Sequence, residues 1–128
     1  MGNSGDMNVT NNRSTDLRLF ILGVNCMYDN GDEGSDLSAF NNTVVSAGTT
    51  FPGGNGQFIE TKNSGGCFGE TSTFTLKVVD DSTHTEIGHI DFTEDGGWGA
   101  TSSNPDVIDV DIDGSENPSP ISVTVEAT

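Results

Sequence analysis

The chain has 128 residues, 20 Asp plus Glu against 4 Lys plus Arg, and a formal net charge of −16. That balance excludes nucleic acid as the default partner, because phosphate neutralisation needs clustered Lys and Arg, and it argues against coulombic attachment to anionic lipid. With 17 Gly, 15 Thr, 13 Ser, 13 Asp and 12 Asn beside only 4 Ala and 5 Leu, long amphipathic helices are not expected and one all-β domain is.

In chain order, residues 1–6 read as a flexible N-terminus and residues 7–128 as one β-sandwich domain. The opening Met1-Gly2-Asn3-Ser4-Gly5-Asp6 has no basic region and no apolar run, so no signal peptide is read there. Met7 to Thr10 is a short first strand. Leu17 to Val24 is apolar on both faces, Leu17, Leu19 and Ile21 on one and Phe20, Leu22 and Val24 on the other, which suits a central strand buried on both sides. An acidic turn region follows from Tyr28 to Asp36. Thr43 to Ser46 and Gln57 to Thr61 are further strands, with the loop Phe51-Pro52-Gly53-Gly54-Asn55-Gly56 between them.

Ser72 to Val79 alternates cleanly, with Phe74, Leu76 and Val78 inward. Asp80-Asp81-Ser82-Thr83 reads as a hairpin turn into Thr85 to Thr93, where Ile90 and Phe92 point inward and Ile87 is out of phase, so a bulge is expected at Gly88. Glu94 to Asn104 is expected as a loop that exposes Trp98 at one end of the sandwich. Asp106 to Asp113 places Ile108, Val110 and Ile112 inward, and Ile121, Val123 and Val125 alternate in the last strand. The expected fold is an antiparallel, jelly-roll-like β-sandwich of about eight strands with no substantial helix.

Few motifs carry chemistry. Asp109-Val110-Asp111-Ile112-Asp113-Gly114 has acids at positions 1, 3 and 5 and Gly at 6 of a calcium loop, but Pro120 stands where the closing Glu belongs and no helices flank it. Asp109, Asp111 and Asp113 are therefore either three acids on an exposed strand face or a non-standard calcium site, calcium being the one candidate cofactor. His84 and His89 fall on opposite faces of an expected strand and make poor partners for one metal. No nucleophile–base set is visible, so an enzyme is not expected. Cys26 and Cys67 allow one intramolecular disulfide in an oxidising compartment, or behave as two reduced, small apolar residues.

Two blocks resemble the aegerolysin family. Gly69-Glu70-Thr71-Ser72-Thr73-Phe74-Thr75-Leu76, continuing through Ile87-Gly88-His89-Ile90-Asp91-Phe92 to Trp98-Gly99-Ala100, is similar to the family's Gly-Thr-rich entry into a Phe-x-Leu strand, its Ile-Gly strand and its Trp-Gly-Ser-like loop. Upstream, Val9-Thr10-Asn11-Asn12 to Leu17 and Tyr28-Asp29-Asn30-Gly31-Asp32 look like its opening strand pair and acidic turn. The resemblance covers residues 7 to 126. The chain departs from the family in having Val24-Asn25-Cys26 where a Trp-Gly-Lys usually ends the second strand, and in lacking the Cys and Pro before Trp98.

The resemblance implies a small acidic β-sandwich that recognises sphingolipid-containing membranes, often with a larger pore-forming partner, and it does not imply a catalytic site. On that reading the protein is extracellular or exported by a non-classical route, and Trp98, Tyr28 and Phe51 form the contact loops. The competing reading is a soluble carbohydrate- or calcium-binding β-sandwich, with Trp98 stacking on a glycan and Asp109, Asp111 and Asp113 on the metal. A third treats the acidity as surface chemistry for solubility.

Overall fold

A computed structural model describes residues 4–28, 37–62 and 65–127. Eleven strands run in the order β1 (Ser4–Asn11), β2 (Leu17–Asn25), β3 (Met27–Tyr28), β4 (Thr43–Val45), β5 (Thr50–Phe51), β6 (Gln57–Thr61), β7 (Ser72–Asp80), β8 (Thr85–Glu94), β9 (Trp98–Ser102), β10 (Ile108–Ile112) and β11 (Ser119–Val125). Among the described residues the only helical pieces are two 3-10 turns, Leu37–Phe40 and Gly65–Cys67. No helix there is long and apolar enough to cross a membrane.

The strands form two sheets facing each other. One has the order β10-β11-β1-β6-β3 with β5 also on β1, and the other has β4-β2-β7-β8-β9. The all-β sandwich expected from the alternating runs is therefore what the chain adopts. Pairing is antiparallel except between β1 and β11, which run parallel with Met7 beside Ile121 and Val9 beside Val123. Between the sheets lie Met7, Val9, Leu17, Leu19, Ile59, Phe74, Leu76, Val78, Ile90, Phe92, Ile108, Ile121, Val123 and Val125, all with essentially no exposure. Phe74 and Phe92 are cross-strand partners, and their rings stack at 4.7 Å and 13°, the close side-chain pairing that stabilises adjacent strands.

Several expectations are corrected. Ser4, Gly5 and Asp6 are not a flexible lead-in but part of β1, opposite Glu60, Ile59 and Phe58 of β6. Strand β2 is not buried on both faces. On its outward face Leu22 is 48% exposed and Phe20 is only half-buried, with the Lys77 ammonium 5.9 Å from its ring centroid. Val24 does not share that face: a bulge between Leu22 and Asn25, with Gly23 at φ +59°, turns it back onto the core. Val110 is half-buried, because β10 is an edge strand.

The bulge expected near Gly88 is present, where Val78 faces Gly88 and Val79 faces Glu86, leaving Ile87 as the extra residue. The β7–β8 hairpin turns over Asp81–His84 and is closed by Asp80. That carboxylate accepts from Ser82 Oγ at 2.7 Å, Ser82 N at 2.9 Å and Thr15 Oγ1 at 2.9 Å. The Ser82 and Thr15 hydroxyls hold the Asp80 carboxyl far below the ordinary aspartate range.

Candidate functional site

Strand pairing gathers a set of chemically distinctive residues at one end of the sandwich. Ser4, at the start of β1, lies opposite Glu60 of β6, which lies opposite Tyr28 of β3. From the other sheet, Trp98 reaches the same point: its indole Nε1 donates to the Ser4 carbonyl at 3.1 Å. Glu60 and Glu94, both at this end, are 8% and 9% exposed. Glu94 is the cross-strand partner of Trp98 and of Ser72.

Trp98 is not on an exposed loop. Asp95, Gly96 and Gly97 close a tight β8–β9 connection, so Trp98 is the first residue of β9. Its ring is half-buried and meets Phe74 edge-on at 6.4 Å and 75°. The reason is local: a turn of this length puts residue 98 directly across from residue 94, and a large ring at a sheet's end folds over the nearest apolar surface. One face of a ≈190 Å³ cleft remains lined by Trp98, with Gly97, Ser115, Asn117 and Ser119 around it.

The other expected contact residues divide. Tyr28 is half-buried at this end, with the Lys62 ammonium 5.1 Å from its ring centroid. Phe51 is elsewhere. It pairs with Val9, roughly 16 Å along β1 from Ser4 at the usual rise per residue, and packs edge-on against Phe40 at 5.7 Å. Phe51 is thus a core-packing aromatic, and the structure does not bring it together with Trp98 and Tyr28.

Cys26 and Cys67 are joined in a disulfide with a Cα separation of 5.6 Å. The bond ties the β2–β3 junction to the Gly65–Cys67 turn. The Cys26 carbonyl also accepts from Lys62 N at 2.8 Å and Ser72 Oγ at 2.7 Å, so both flanks of the 62–72 segment converge on it. Immediately after the bridge stands Phe68, 84% exposed. The sequence signal for it is a single aromatic set between Cys67 and Gly69 in a polar, glycine-rich stretch, and the sequence reading passed over it.

The three aspartates of the calcium-like motif are not assembled. Asp109 and Asp111 point outward from β10, beside Thr124 and Ser122 of β11. Asp113 lies past the strand and accepts from Ser115 Oγ at 2.6 Å and Ser115 N at 3.1 Å, bonds that hold its carboxyl below the ordinary range. Among the described residues no group of three or more His, Cys, Asp or Glu side chains is placed to hold a metal ion. His84 sits in the β7–β8 turn at φ +59° while His89 is on the outer face of β8, near Glu86 at 3.3 Å and Asp91 at 4.0 Å.

Compared with known protein families and with characterised proteins, the chain has no match in either.

Proposed function

We propose that this is an aegerolysin-like protein that recognises membrane lipid of the sphingolipid type, through the end of the sandwich bearing Trp98, Tyr28 and Phe68, with a pore-forming protein as its partner. The observation that carries the reading is Phe68. A phenylalanine at 84% exposure, on a segment held by a disulfide next to Tyr28, presents an aromatic face without the ordering cost of a mobile loop. Aromatic rings of this kind partition into the headgroup region of a bilayer. The exposed ring supplies roughly 2 kcal/mol on burial, or about thirtyfold in affinity. The net charge of −16 directs the reading to uncharged or zwitterionic headgroups. A disulfide-bonded small domain fits an extracellular setting.

The test is flotation with vesicles of phosphatidylcholine alone and with sphingomyelin added. Retention on sphingomyelin vesicles, weakened at least tenfold by Phe68→Ala, is the expected result. Equal retention of the Phe68→Ala protein, or no retention on any vesicle, overturns the reading. Because Phe68 touches little of the core, the variant's melting temperature is expected to match that of the wild type.

A further inference from the structure

We propose that the outer face of the six-stranded sheet carries a second binding site, a groove that takes an uncharged saccharide, with the Asp6 carboxylate accepting from two neighbouring sugar hydroxyls. The groove has a volume of ≈610 Å³ and runs across β1 and β11 between two loop walls. It is the size of a ligand site. It lies on the sheet's face and not along an edge, so it offers no row of unpaired backbone groups to an added peptide strand.

Both walls are fixed. Asn8, on β1, holds the first wall with both ends of its amide: Nδ2 donates to the Gly54 carbonyl at 3.2 Å and Oδ1 accepts from Gly53 N at 2.7 Å. Asn117 pins the second wall, its Oδ1 accepting from Ser4 N and Ser4 Oγ, each at 3.0 Å. Ser119 Oγ donates to the Glu116 carbonyl at 2.6 Å and closes the same turn. A groove with locked walls binds without paying to order them.

Asp6 is the group the fold leaves unexplained. It points outward from β1 between Phe58 and Pro120. It is half-buried, and no hydrogen bond or ion pair engages it among the described residues. Burial pushes its carboxyl up from the ordinary value. A partly desolvated carboxylate without a partner costs stability, and a ligand that donates to it recovers that cost.

The polar groups around it select the ligand. The carboxylates of Asp6 and of Glu116, which also lines the groove, only accept. Asn117, with Oδ1 committed to Ser4, has its Nδ2 left as a donor, and Asn55 on the opposite wall has both. A metal or amine would be met by acceptors alone, and a phosphate or sulfate by donors alone. A mixed set matches hydroxyls, which both donate and accept. No Lys or Arg lines the groove, which disfavours acidic sugars, while the rings of Pro118 and Pro120 offer an apolar surface to a sugar's C–H face.

The experiment uses the whole chain on a printed array of neutral, sialylated and sulfated glycans, and on phosphatidylcholine vesicles with and without galactosylceramide. The wild type is expected to bind neutral glycans only. Asp6→Asn keeps the shape but replaces an accepting oxygen with a donor, and it should weaken binding at least tenfold, with Asn55→Ala giving a smaller loss. Phe68→Ala should stay within twofold on the array, which separates this site from the membrane-facing end. Retention on galactosylceramide vesicles that Asp6→Asn weakens at least tenfold, together with binding on the array, identifies a lipid-borne headgroup as the source, and Asp6-dependent binding on the array alone identifies a free or protein-borne glycan. Undiminished binding by Asp6→Asn, a preference for sialylated or sulfated glycans, or no glycan binding at all overturns the proposal.

Discussion

Removing the Cys26–Cys67 bridge is the perturbation whose size follows most directly from the structure. The cysteines are 41 residues apart in sequence. Closing a loop of that length removes about 13 cal/mol/K of denatured-state entropy, or about 4 kcal/mol at 25 °C. For a chain of this size that lowers the midpoint of thermal unfolding by roughly 12–20 °C. The clean variant is the double substitution Cys26→Ser, Cys67→Ser, compared with wild type in thermal and urea melts, with and without reductant. The reductant should lower the wild type to the level of the double variant and leave the variant unmoved. Native-state hydrogen exchange adds a second readout. The Lys62 amide, which donates to the Cys26 carbonyl, should lose protection in the variant before the amides of central β7 do. A midpoint shifted by less than about 3 °C would refute the loop-entropy argument. It would mean that the denatured chain is already compact around these two residues.

Four further outcomes are expected. Trp98→Ala should lose about 2–3 kcal/mol, because the half-buried ring packs on Phe74 and donates to the Ser4 carbonyl; an unchanged urea midpoint would show that the ring contributes no packing. Gly88→Ala should lose about 1–3 kcal/mol, since a Cβ there would lie 2.9 Å from Ile108 Cδ1 and 3.1 Å from Asn104 Cβ; wild-type stability in the same melt would show that the β8 bulge has room to shift. Asp80 and Asp113 have depressed carboxyls, so their stabilisation is complete above about pH 4 and is lost as pH falls through their folded values; Asp80→Asn should flatten the fall in stability between pH 4 and 2, and an unchanged slope would count against the hydrogen-bond assignment. With a net charge of −16, the melting midpoint should rise as salt is added from low ionic strength, and indifference to salt would mean that the acids are too dispersed to repel.

What was legible in the sequence was whatever one strand can express by itself. In Ser72–Asp80 and Ser119–Val125 the period-2 alternation sorted inward from outward residues correctly, because both strands are flanked on each side by neighbours that continue the sheet. Strand β9 was not legible: Trp98-Gly99-Ala100-Thr101-Ser102 is a sheet edge with one large apolar residue and no alternation. The start of β1 was hidden by Gly5, which reads as a flexible position. In the fold it faces inward, where a Cβ would come 2.8 Å from Ile121 Cδ1, so glycine is there for close packing. The candidate site was less legible than the fold. Trp98, Tyr28 and Phe51 were expected in the contact loops on the family resemblance, yet whether an aromatic packs or projects depends on the sheet beneath it. Phe51 had Phe40 to rest on, whereas Phe68 lies just past the bridge and remains 84% exposed. Asp6 carried no motif at all. Its significance comes from Asn8 and Asn117, which fix the walls around it and are 109 residues apart.

The charge balance takes on a sharper meaning once the cations are located. The chain has four Lys and Arg residues, and each is engaged. Arg13 approaches Asp80 at 3.6 Å, Arg18 donates to Asp81 at 2.7 Å, Lys77 approaches Glu86 at 3.8 Å, and Lys62 sits over the Tyr28 ring. None of them lines the groove around Asp6 or the cleft beside Trp98. Without a cation at either place, ligands that carry net negative charge are disfavoured. The two proposed surfaces offer amides, hydroxyls, carboxylates and apolar faces instead. They also share a hinge point: Ser4 accepts from Trp98 through its carbonyl and donates to Asn117 through its amide and hydroxyl. The residue that seats Trp98 is therefore also the residue that anchors one wall of the groove, so the two proposed surfaces are tied together through Ser4.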